Sequence, residues 1–224
     1  MSTTKTALIV GATGLVGNAC VEQLLQNPYY SQVVVLSRRA LPQQHPKLVT
    51  RLIDFEQLQN YNDAIQGDDI YYCLGTTIKK AGSQASFYRI DYEYALQIAQ
   101  IAVQNKVAQF LLVSSLGADA KSTIFYSRTK GELENSLKKL SIPSLHIFQP
   151  SILLGERNES RSGESIGKVL VKWIRPFLRG SWRKYRGIEG ADVAKAMIRI
   201  AQQQKKGIFT YLSDTIQDIA DAPA

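Results

Sequence analysis

A glycine-rich segment near the N-terminus constrains the fold more than any other feature of this sequence. Gly11, Gly14 and Gly17 follow the short apolar run 7–10 at a regular spacing of three residues. Residues 16–25 then place apolar side chains at helical spacing. A strand, a glycine turn and a helix in this order are typical of the first unit of a dinucleotide-binding α/β fold.

Each glycine of this segment has a physical role in binding a dinucleotide. Gly11 permits a tight turn, and Gly14 lets backbone N–H groups approach a pyrophosphate. Gly17 lets the helix pack closely on the sheet, and the helix N-terminus adds partial positive charge. We therefore predict a cofactor-binding loop that comprises Gly11, Thr13, Gly14, Leu15, Val16 and Gly17. The alternative is an ordinary turn between a strand and a helix.

The rest of the chain predicts one α/β architecture. Short apolar runs alternate with amphipathic stretches, which favours a Rossmann-type doubly wound parallel sheet with helices on both faces. A length of 224 residues suits a single NAD(P)-binding domain over residues 1–224. Within it, residues 151–190 are expected to form a small substrate region or lid. No apolar run approaches the ~20 residues that span a bilayer, and no signal peptide fits the N-terminus, so a cytoplasmic protein is expected.

The end of the second predicted strand indicates which dinucleotide binds. Residues 33–36 run into Ser37, Arg38 and Arg39, where NAD-binding proteins usually have an acidic residue for the ribose 2′-hydroxyl. Two arginines there favour the 2′-phosphate of NADP and NADPH. The alternative is a solvated basic loop, with Asp54 holding the ribose.

Two further predicted strands end in residues that suit the same cofactor. Asp54 and Phe55 follow the third strand. They either bracket the adenine ring or, in the case of Asp54, cap the helix that follows. Leu74, Gly75 and Thr76 follow the fourth strand, where a residue without a side chain lets the backbone pass close to the cofactor. An ordinary turn is the alternative for Gly75.

A serine, a tyrosine and a lysine form the candidate catalytic group. The strand 110–113 runs into Ser114 and Ser115, and Tyr126 and Lys130 follow at helical spacing. The ammonium of Lys130 makes it easier for the phenol of Tyr126 to transfer a proton to or from a carbonyl oxygen. Ser115 is expected to hydrogen-bond that oxygen. The alternative is a half-buried helix tyrosine, a surface lysine and an ordinary strand-end serine.

Several of these segments together resemble a known superfamily. Residues 11–17, 114–115, 126–130 and 149–151 are similar to the short-chain dehydrogenase/reductase superfamily. Residues 73–77, 80–82 and 115–119 resemble its atypical branch, the Tat-interacting-protein-type oxidoreductases. The resemblance extends over nearly the whole chain, from residue 8 to about residue 220.

The resemblance implies both an activity and a site. It implies hydride transfer between NADPH and a small carbonyl or alcohol substrate, with Ser115, Tyr126 and Lys130 as catalytic residues. It also implies that Lys130 holds the cofactor and that Pro150 and Ser151 lie near the nicotinamide. In the family the second serine of the strand end usually acts, so Ser115 is preferred to Ser114.

Two other functions stay open at this point. Some members of the atypical branch act as cofactor-dependent regulators with little turnover, so an NADPH-binding regulatory or interaction protein is one alternative. Epimerase or dehydratase chemistry on a nucleotide sugar is the other. It is less favoured, because this chain lacks the long insertion and the large C-terminal substrate domain of the sugar-nucleotide epimerases.

Charge and composition limit the possible partners. The formal charge of +8 favours an anionic partner, but no nucleic-acid-binding motif occurs, so no nucleic acid is expected. Residues 165–187 contain seven Lys or Arg and no acidic residue, with apolar residues interleaved. We interpret this basic segment as a lid helix. Peripheral contact with a membrane is the alternative, and the oligomeric state stays undetermined.

The cysteines and histidines point to no further cofactor. Cys20 and Cys73 are the only cysteines, and both lie in apolar surroundings that predict thiols in the core. His45 and His146 are far apart in the chain, so we predict no metal site.

Overall fold

The computed structural model describes residues 5–155 and 180–223 of the chain. Within these residues one parallel sheet has seven strands in the order β3-β2-β1-β4-β5-β6-β9. Two further short strands, β7 and β8, pair with each other. The strands are β1 (Lys5–Val10), β2 (Tyr30–Ser37), β3 (Leu48–Leu52), β4 (Asp69–Tyr72), β5 (Gln109–Val113), β6 (Ser144–Gln149), β7 (Leu153–Leu154), β8 (Ile188–Glu189) and β9 (Gly207–Leu212).

Helices cover both faces of the sheet, as the alternating pattern predicted. The described α-helices are α1 (Leu15–Gln26), α2 (Ile78–Ala81), α3 (Gln84–Tyr88), α4 (Tyr94–Gln104), α5 (Phe125–Lys138), α6 (Gly190–Gln202) and α7 (Ser213–Asp221). A π-helical turn, Arg89–Glu93, joins α3 to α4. The strand order reverses direction at β1 and β4, which is where the carboxyl ends of the strands open a crevice for a ligand. The predicted Rossmann-type doubly wound fold is thus confirmed.

The strand β1 divides the core into two layers. Ala7 and Ile9 pack with α1, α6 and α7 on one face, and Leu8 and Val10 pack with α4 and α5 on the other. All four side chains are inaccessible to solvent. Such burial on both faces explains why β1 is a continuous apolar run, and it fixes the strand's carboxyl end at the centre of the sheet.

One region differs from its predicted structure, and a second lies outside the described residues. Residues 55–64 form 3₁₀ turns with non-helical backbone angles at Gln57 and Tyr61, where we predicted a helix. Only Phe55 and Leu58 are buried there, so a regular helix would gain little apolar burial.

Residues 156–179, which include most of the predicted lid and of the basic segment, lie outside the described residues. In the part of the chain that is described, no helix is long and apolar enough to cross a membrane.

A buried histidine gives the fold a measurable dependence on pH. His146 lies in β6 and is inaccessible to solvent. The Ser144 hydroxyl donates to the backbone carbonyl of Lys205, so it accepts a hydrogen bond from His146 Nε2 at 2.8 Å. The Tyr211 hydroxyl then donates to Nδ1 at 3.0 Å. This arrangement suits the neutral ring, and burial lowers the pKa of His146 to about 4.

Folding stability should therefore fall as the pH falls from 6.5, the ordinary pKa of histidine, to about 4. In that window the unfolded chain binds a proton that the folded protein does not, and below it no further loss arises from this group. The lowered pKa corresponds to a loss of up to about 3 kcal/mol. Urea unfolding at several pH values measures it. His146→Gln should show a smaller loss, and the same loss in both proteins would contradict the assignment.

Candidate active site

The glycine loop between β1 and α1 passes so close to neighbouring backbone that side chains at Gly11 and Gly17 would clash. Gly11 has a φ of +88°, and a Cβ there would lie 2.5 Å from the backbone nitrogen of Leu74. A Cβ on Gly17 would overlap the carbonyl oxygen of Gly11. Thr13 and Gly14 are exposed, and no side chain caps α1. The first N–H groups of α1 therefore face the crevice, where an anionic group fits.

The two apolar residues of the predicted loop contribute by packing. Val16 is buried in the core layer beneath α1. Leu15 lies against Gly155 and Gly190, where an added Cβ would lie 2.7 and 2.6 Å from its side chain. These contacts fix the first turn of α1 against the C-terminal part of the described structure.

The arginines predicted to bind the 2′-phosphate lie at the carboxyl end of β2. Arg38 and Arg39 are exposed, and the described residues provide no acidic partner for either guanidinium. The Ser37 hydroxyl accepts a hydrogen bond from the Arg39 backbone at 3.3 Å. Neither side chain thus forms an ion pair with a described residue. Both lie at the end of the crevice where this fold binds the adenosine half of a dinucleotide.

Asp54 and Phe55 have internal partners that their predicted cofactor role did not include. The Asp54 carboxylate accepts a hydrogen bond from the Glu56 backbone at 2.9 Å, which is the capping alternative. The Phe55 ring is only 7% exposed and lies 5.5 Å from the ring of Tyr94. This ring is therefore part of the core instead of an open face for an adenine.

The end of β4 meets a buried ion pair. Lys130 Nζ lies 2.6 Å from the Asp91 carboxylate, and the two side chains are only 5% and 1% exposed. The backbone N–H of Thr76 donates to the same carboxylate at 2.9 Å. A Cβ on Gly75 would lie 3.3 Å from Asp91 Oδ1 and 3.6 Å from Lys130 Nζ. Leu74, Gly75 and Thr76 thus bring the strand end directly beside the lysine.

The charge state of Lys130 follows from its neighbours. Burial alone would lower its pKa, but the Asp91 carboxylate, the Tyr126 hydroxyl and the Glu134 carboxylate outweigh burial and raise it. Lys130 is therefore an ammonium at neutral pH. Tyr126 is half-buried one turn earlier on α5, and its ring lies 5.5 Å from that of Phe87. The structure therefore brings the predicted tyrosine and lysine together.

Asp91 is the site residue that sequence reasoning missed. It lies in the π-helical turn and is 39 positions away from Lys130, so no local spacing connects the two. One signal was available: a carboxylate stands among residues such as Phe87, Tyr94 and Ala95, which all pack in the core. A charge in such surroundings requires a partner.

The two strand-end serines differ in their hydrogen bonds. Ser114 is buried, and its hydroxyl donates to the Glu134 carboxylate at 2.6 Å. Gln149 donates to the same carboxylate at 2.8 Å. Ser115 is only partly buried, and among the described residues its hydroxyl makes only one hydrogen bond, a long 3.4 Å contact to the Leu116 carbonyl. Ser115 thus keeps a hydroxyl for a ligand, whereas Ser114 does not.

Pro150 and Ser151, at the end of β6, mainly support the site. The Pro150 carbonyl accepts a hydrogen bond from the backbone of Leu116 at 2.9 Å, which ties the two strand ends together. The Ser151 hydroxyl donates to the Arg186 carbonyl and accepts from Ser213. These hydrogen bonds occupy the hydroxyl of Ser151, which we expected to lie near the nicotinamide.

The fold and the glycine loop define a dinucleotide-binding Rossmann protein, and comparison with known sequences gives its family. The chain belongs to the NAD(P)H-binding family, whose model matches residues 11–141, and within it to the atypical short-chain dehydrogenase/reductases that resemble HTATIP2. It is 34% identical to HTATIP2 of Rattus norvegicus, over 87% of this chain and 80% of that protein. It is also 34% identical to the mitochondrial protein FMP52 of Candida albicans, over 93% and 91%.

Solved structures agree with this fold. The oxidoreductase ylbE of Lactococcus lactis superposes with a TM-score of 0.67 at 18% identity, over 96% of this chain and 95% of that one. WbmH of Bordetella bronchiseptica in complex with NAD⁺ superposes with a TM-score of 0.69 at 16% identity, over 93% and 74%. At such identities the likeness concerns the fold alone.

The expected cytoplasmic localisation was wrong. The fungal relatives from Candida albicans, Lodderomyces elongisporus and Emericella nidulans are all named mitochondrial proteins, and these names contradict the cytoplasmic expectation. The expectation was based on the absence of a signal peptide and of a long apolar run, and neither absence distinguishes these two compartments.

Proposed function

We propose that this protein is an NADPH-dependent oxidoreductase that interconverts a small carbonyl compound and its alcohol. One observation supports the proposal above the others: Lys130 Nζ lies 3.6 Å from the point where a Cβ on Gly75 would stand. Gly75 follows the strand end that borders the cofactor crevice. The helix that carries Tyr126 is therefore anchored where the nicotinamide half of a dinucleotide would lie.

In this proposal each residue of the group has one task. The bound cofactor supplies or accepts a hydride. Tyr126 donates a proton to the carbonyl oxygen of the substrate, or accepts it in the reverse direction. The ammonium of Lys130 stabilises the phenolate that remains, and Ser115 hydrogen-bonds the substrate oxygen as charge develops on it. Asp91 acts as a positioning residue, because it holds the ammonium at a fixed place beside Gly75.

A panel of aldehydes, ketones and quinones tests this activity. Purified protein with NADPH should reduce at least one class, measured by the loss of the absorbance of the reduced nicotinamide. Cofactor affinity should be measured separately by fluorescence titration. NADPH binding without turnover across the panel would contradict the oxidoreductase and favour the regulatory alternative.

Arg38 and Arg39 should determine the choice between NADPH and NADH. Because hydrogen bonds to charged groups contribute about 1.5–3 kcal/mol, changing both residues to Ala should weaken NADPH binding about 10- to 100-fold. NADH lacks the 2′-phosphate, so its dissociation constant should change by less than about threefold. Titration of the natural protein and of the double variant, each with NADPH and with NADH, measures this difference.

A matched variant controls for net charge. Lys205 and Lys206 are exposed and precede β9. β9 is an edge strand of the parallel sheet, and its amino end lies away from the carboxyl end of β1, where the cofactor loop begins. Changing both to Ala also removes two positive charges, and it should leave the preference for NADPH intact. An equal loss of NADPH and NADH affinity in the arginine variant would contradict a 2′-phosphate site.

A further inference from the structure

The fold brings the two cysteines of the chain together beneath the cofactor loop. Cys20 and Cys73 are 53 positions apart in sequence, yet their sulfur atoms lie 4.0 Å apart. Cys20 is fully buried in α1, whereas Cys73 follows β4 and is partly exposed. The proposed hydride transfer uses neither thiol.

We propose that Cys20 and Cys73 form an oxidisable dithiol, which peroxide converts into an intramolecular disulfide, and that this disulfide and the bound cofactor exclude one another. The inference rests on the cofactor loop of the proposed function, and it does not depend on turnover. The ligand class of this site is a hydroperoxide, of which hydrogen peroxide is the simplest.

The different exposure of the two thiols sets the order of the reaction. The thiolate of Cys73, the more accessible of the two, attacks one peroxide oxygen. An S–O bond forms, the O–O bond breaks, and the leaving hydroxide takes up a proton to become water. The product is a sulfenic acid at Cys73.

Cys20 then completes the disulfide. Its sulfur attacks the Cys73 sulfur, the S–S bond forms, the S–O bond breaks, and a second water leaves with the thiol proton. In total, two thiols lose two electrons and two protons, and one peroxide is reduced to two waters. The hydrogen bond with Cys73, together with burial, raises the pKa of Cys20, so Cys20 stays a neutral thiol and the first reaction with peroxide is left to Cys73.

Closing the bond would disturb the loop, because both cysteines support it. The sulfurs must approach from 4.0 Å to about 2.05 Å. The backbone N–H of Cys73 is fixed to the Val10 carbonyl at 2.8 Å. A Cβ on Gly11 would lie 2.7 Å from the carbonyl carbon of Cys73, so the backbones are already in close contact. Any approach of α1 to β4 therefore moves the first turn of α1, where the pyrophosphate would bind.

Mutual exclusion follows by linkage. If the disulfide lowers the affinity for the cofactor by some factor, saturating cofactor makes the disulfide harder to form by the same factor. A bound cofactor would also cover the crevice on which Cys73 borders. Oxidant and cofactor thus compete through the position of α1.

The experiment treats the reduced full-length protein with hydrogen peroxide, with and without NADPH. Peptide mapping without reductant should show a bridge between Cys20 and Cys73, and thiol titration should show the loss of both thiols. NADPH affinity, measured by fluorescence titration, should fall at least about tenfold and recover with dithiothreitol. Saturating NADPH should slow the formation of the bridge.

Two single variants, Cys20→Ala and Cys73→Ser, serve as matched controls, since neither can form the bridge. Peroxide treatment lowers NADPH affinity by some factor in the natural sequence. In either variant this factor should be smaller by at least about fivefold. Bridges only between molecules, over-oxidation of Cys73 without a bridge, or a bridge that leaves affinity unchanged would each overturn the proposal. A protein that fails every carbonyl assay but shows the bridge and the lost affinity would still support it.

Discussion

Replacing Tyr126 with phenylalanine is expected to lower the turnover number by about 10³-fold, within the range that a positioned proton donor contributes. The variant keeps the ring, and hence its contact with Phe87 at 5.5 Å between centroids. It loses only the hydroxyl that exchanges the proton with the substrate oxygen. Steady-state kinetics with the best substrate of the panel measures the effect.

The affinity for NADPH separates a chemical role of this tyrosine from a structural one. Because the phenol acts on the substrate, the dissociation constant of NADPH should change by less than about threefold in Tyr126→Phe. Tyr29→Phe is a matched control. Its hydroxyl accepts a hydrogen bond from Gln204, at the amino end of β2 and away from the cofactor loop. A parallel loss of turnover and of NADPH affinity in Tyr126→Phe would contradict the assignment.

The parts of the site that the sequence predicted are those that depend on local order. Gly11, Gly14 and Gly17 stand in one turn, and the apolar runs around them fix that turn between a strand and a helix. Tyr126 and Lys130 stand one helical turn apart, so the formation of α5 is enough to bring them together. In both cases the relevant distance is set by secondary structure alone.

Contacts between distant segments could not be predicted in the same way. The carboxylate of Asp91 meets Lys130 only because the π-helical turn and α5 pack on the same face of the sheet. Gly131 gave no signal either, although a Cβ there would overlap the backbone nitrogen of Ala120. Its missing side chain lets α5 lie directly on the loop after Ser115.

Residue type and position in the chain also did not reveal which partners a polar side chain takes. Asp54 and Ser151 were both suitable ligands for a cofactor by type and place. In the fold each has an internal partner, a backbone N–H for Asp54 and the Arg186 carbonyl for Ser151. The choice between Ser114 and Ser115 depends on the same factor, because the buried carboxylate of Glu134 accepts the hydrogen bond of the Ser114 hydroxyl.

The Asp91–Lys130 ion pair should have the largest effect on stability when only one partner is changed. Asp91→Asn keeps a side chain that can accept the hydrogen bond from the Thr76 backbone, but it leaves the buried ammonium of Lys130 without its partner 2.6 Å away. Uncompensated buried charges of this kind cost about 3–5 kcal/mol. Urea unfolding at neutral pH should show the free energy of unfolding reduced by that amount.

The double variant Asp91→Asn with Lys130→Met tests whether charge is the cause. Removing the ammonium as well should recover most of the loss, to within about 1 kcal/mol of the natural sequence, because an apolar side chain needs no partner in the core. The exposed pair of Arg183 and Asp218, 2.5 Å apart, is a matched control. Asp218→Asn should cost less than about 1 kcal/mol. If the double variant unfolds as easily as Asp91→Asn alone, the loss comes from packing around the carboxylate, and Asp91 does not act by compensating the charge of Lys130.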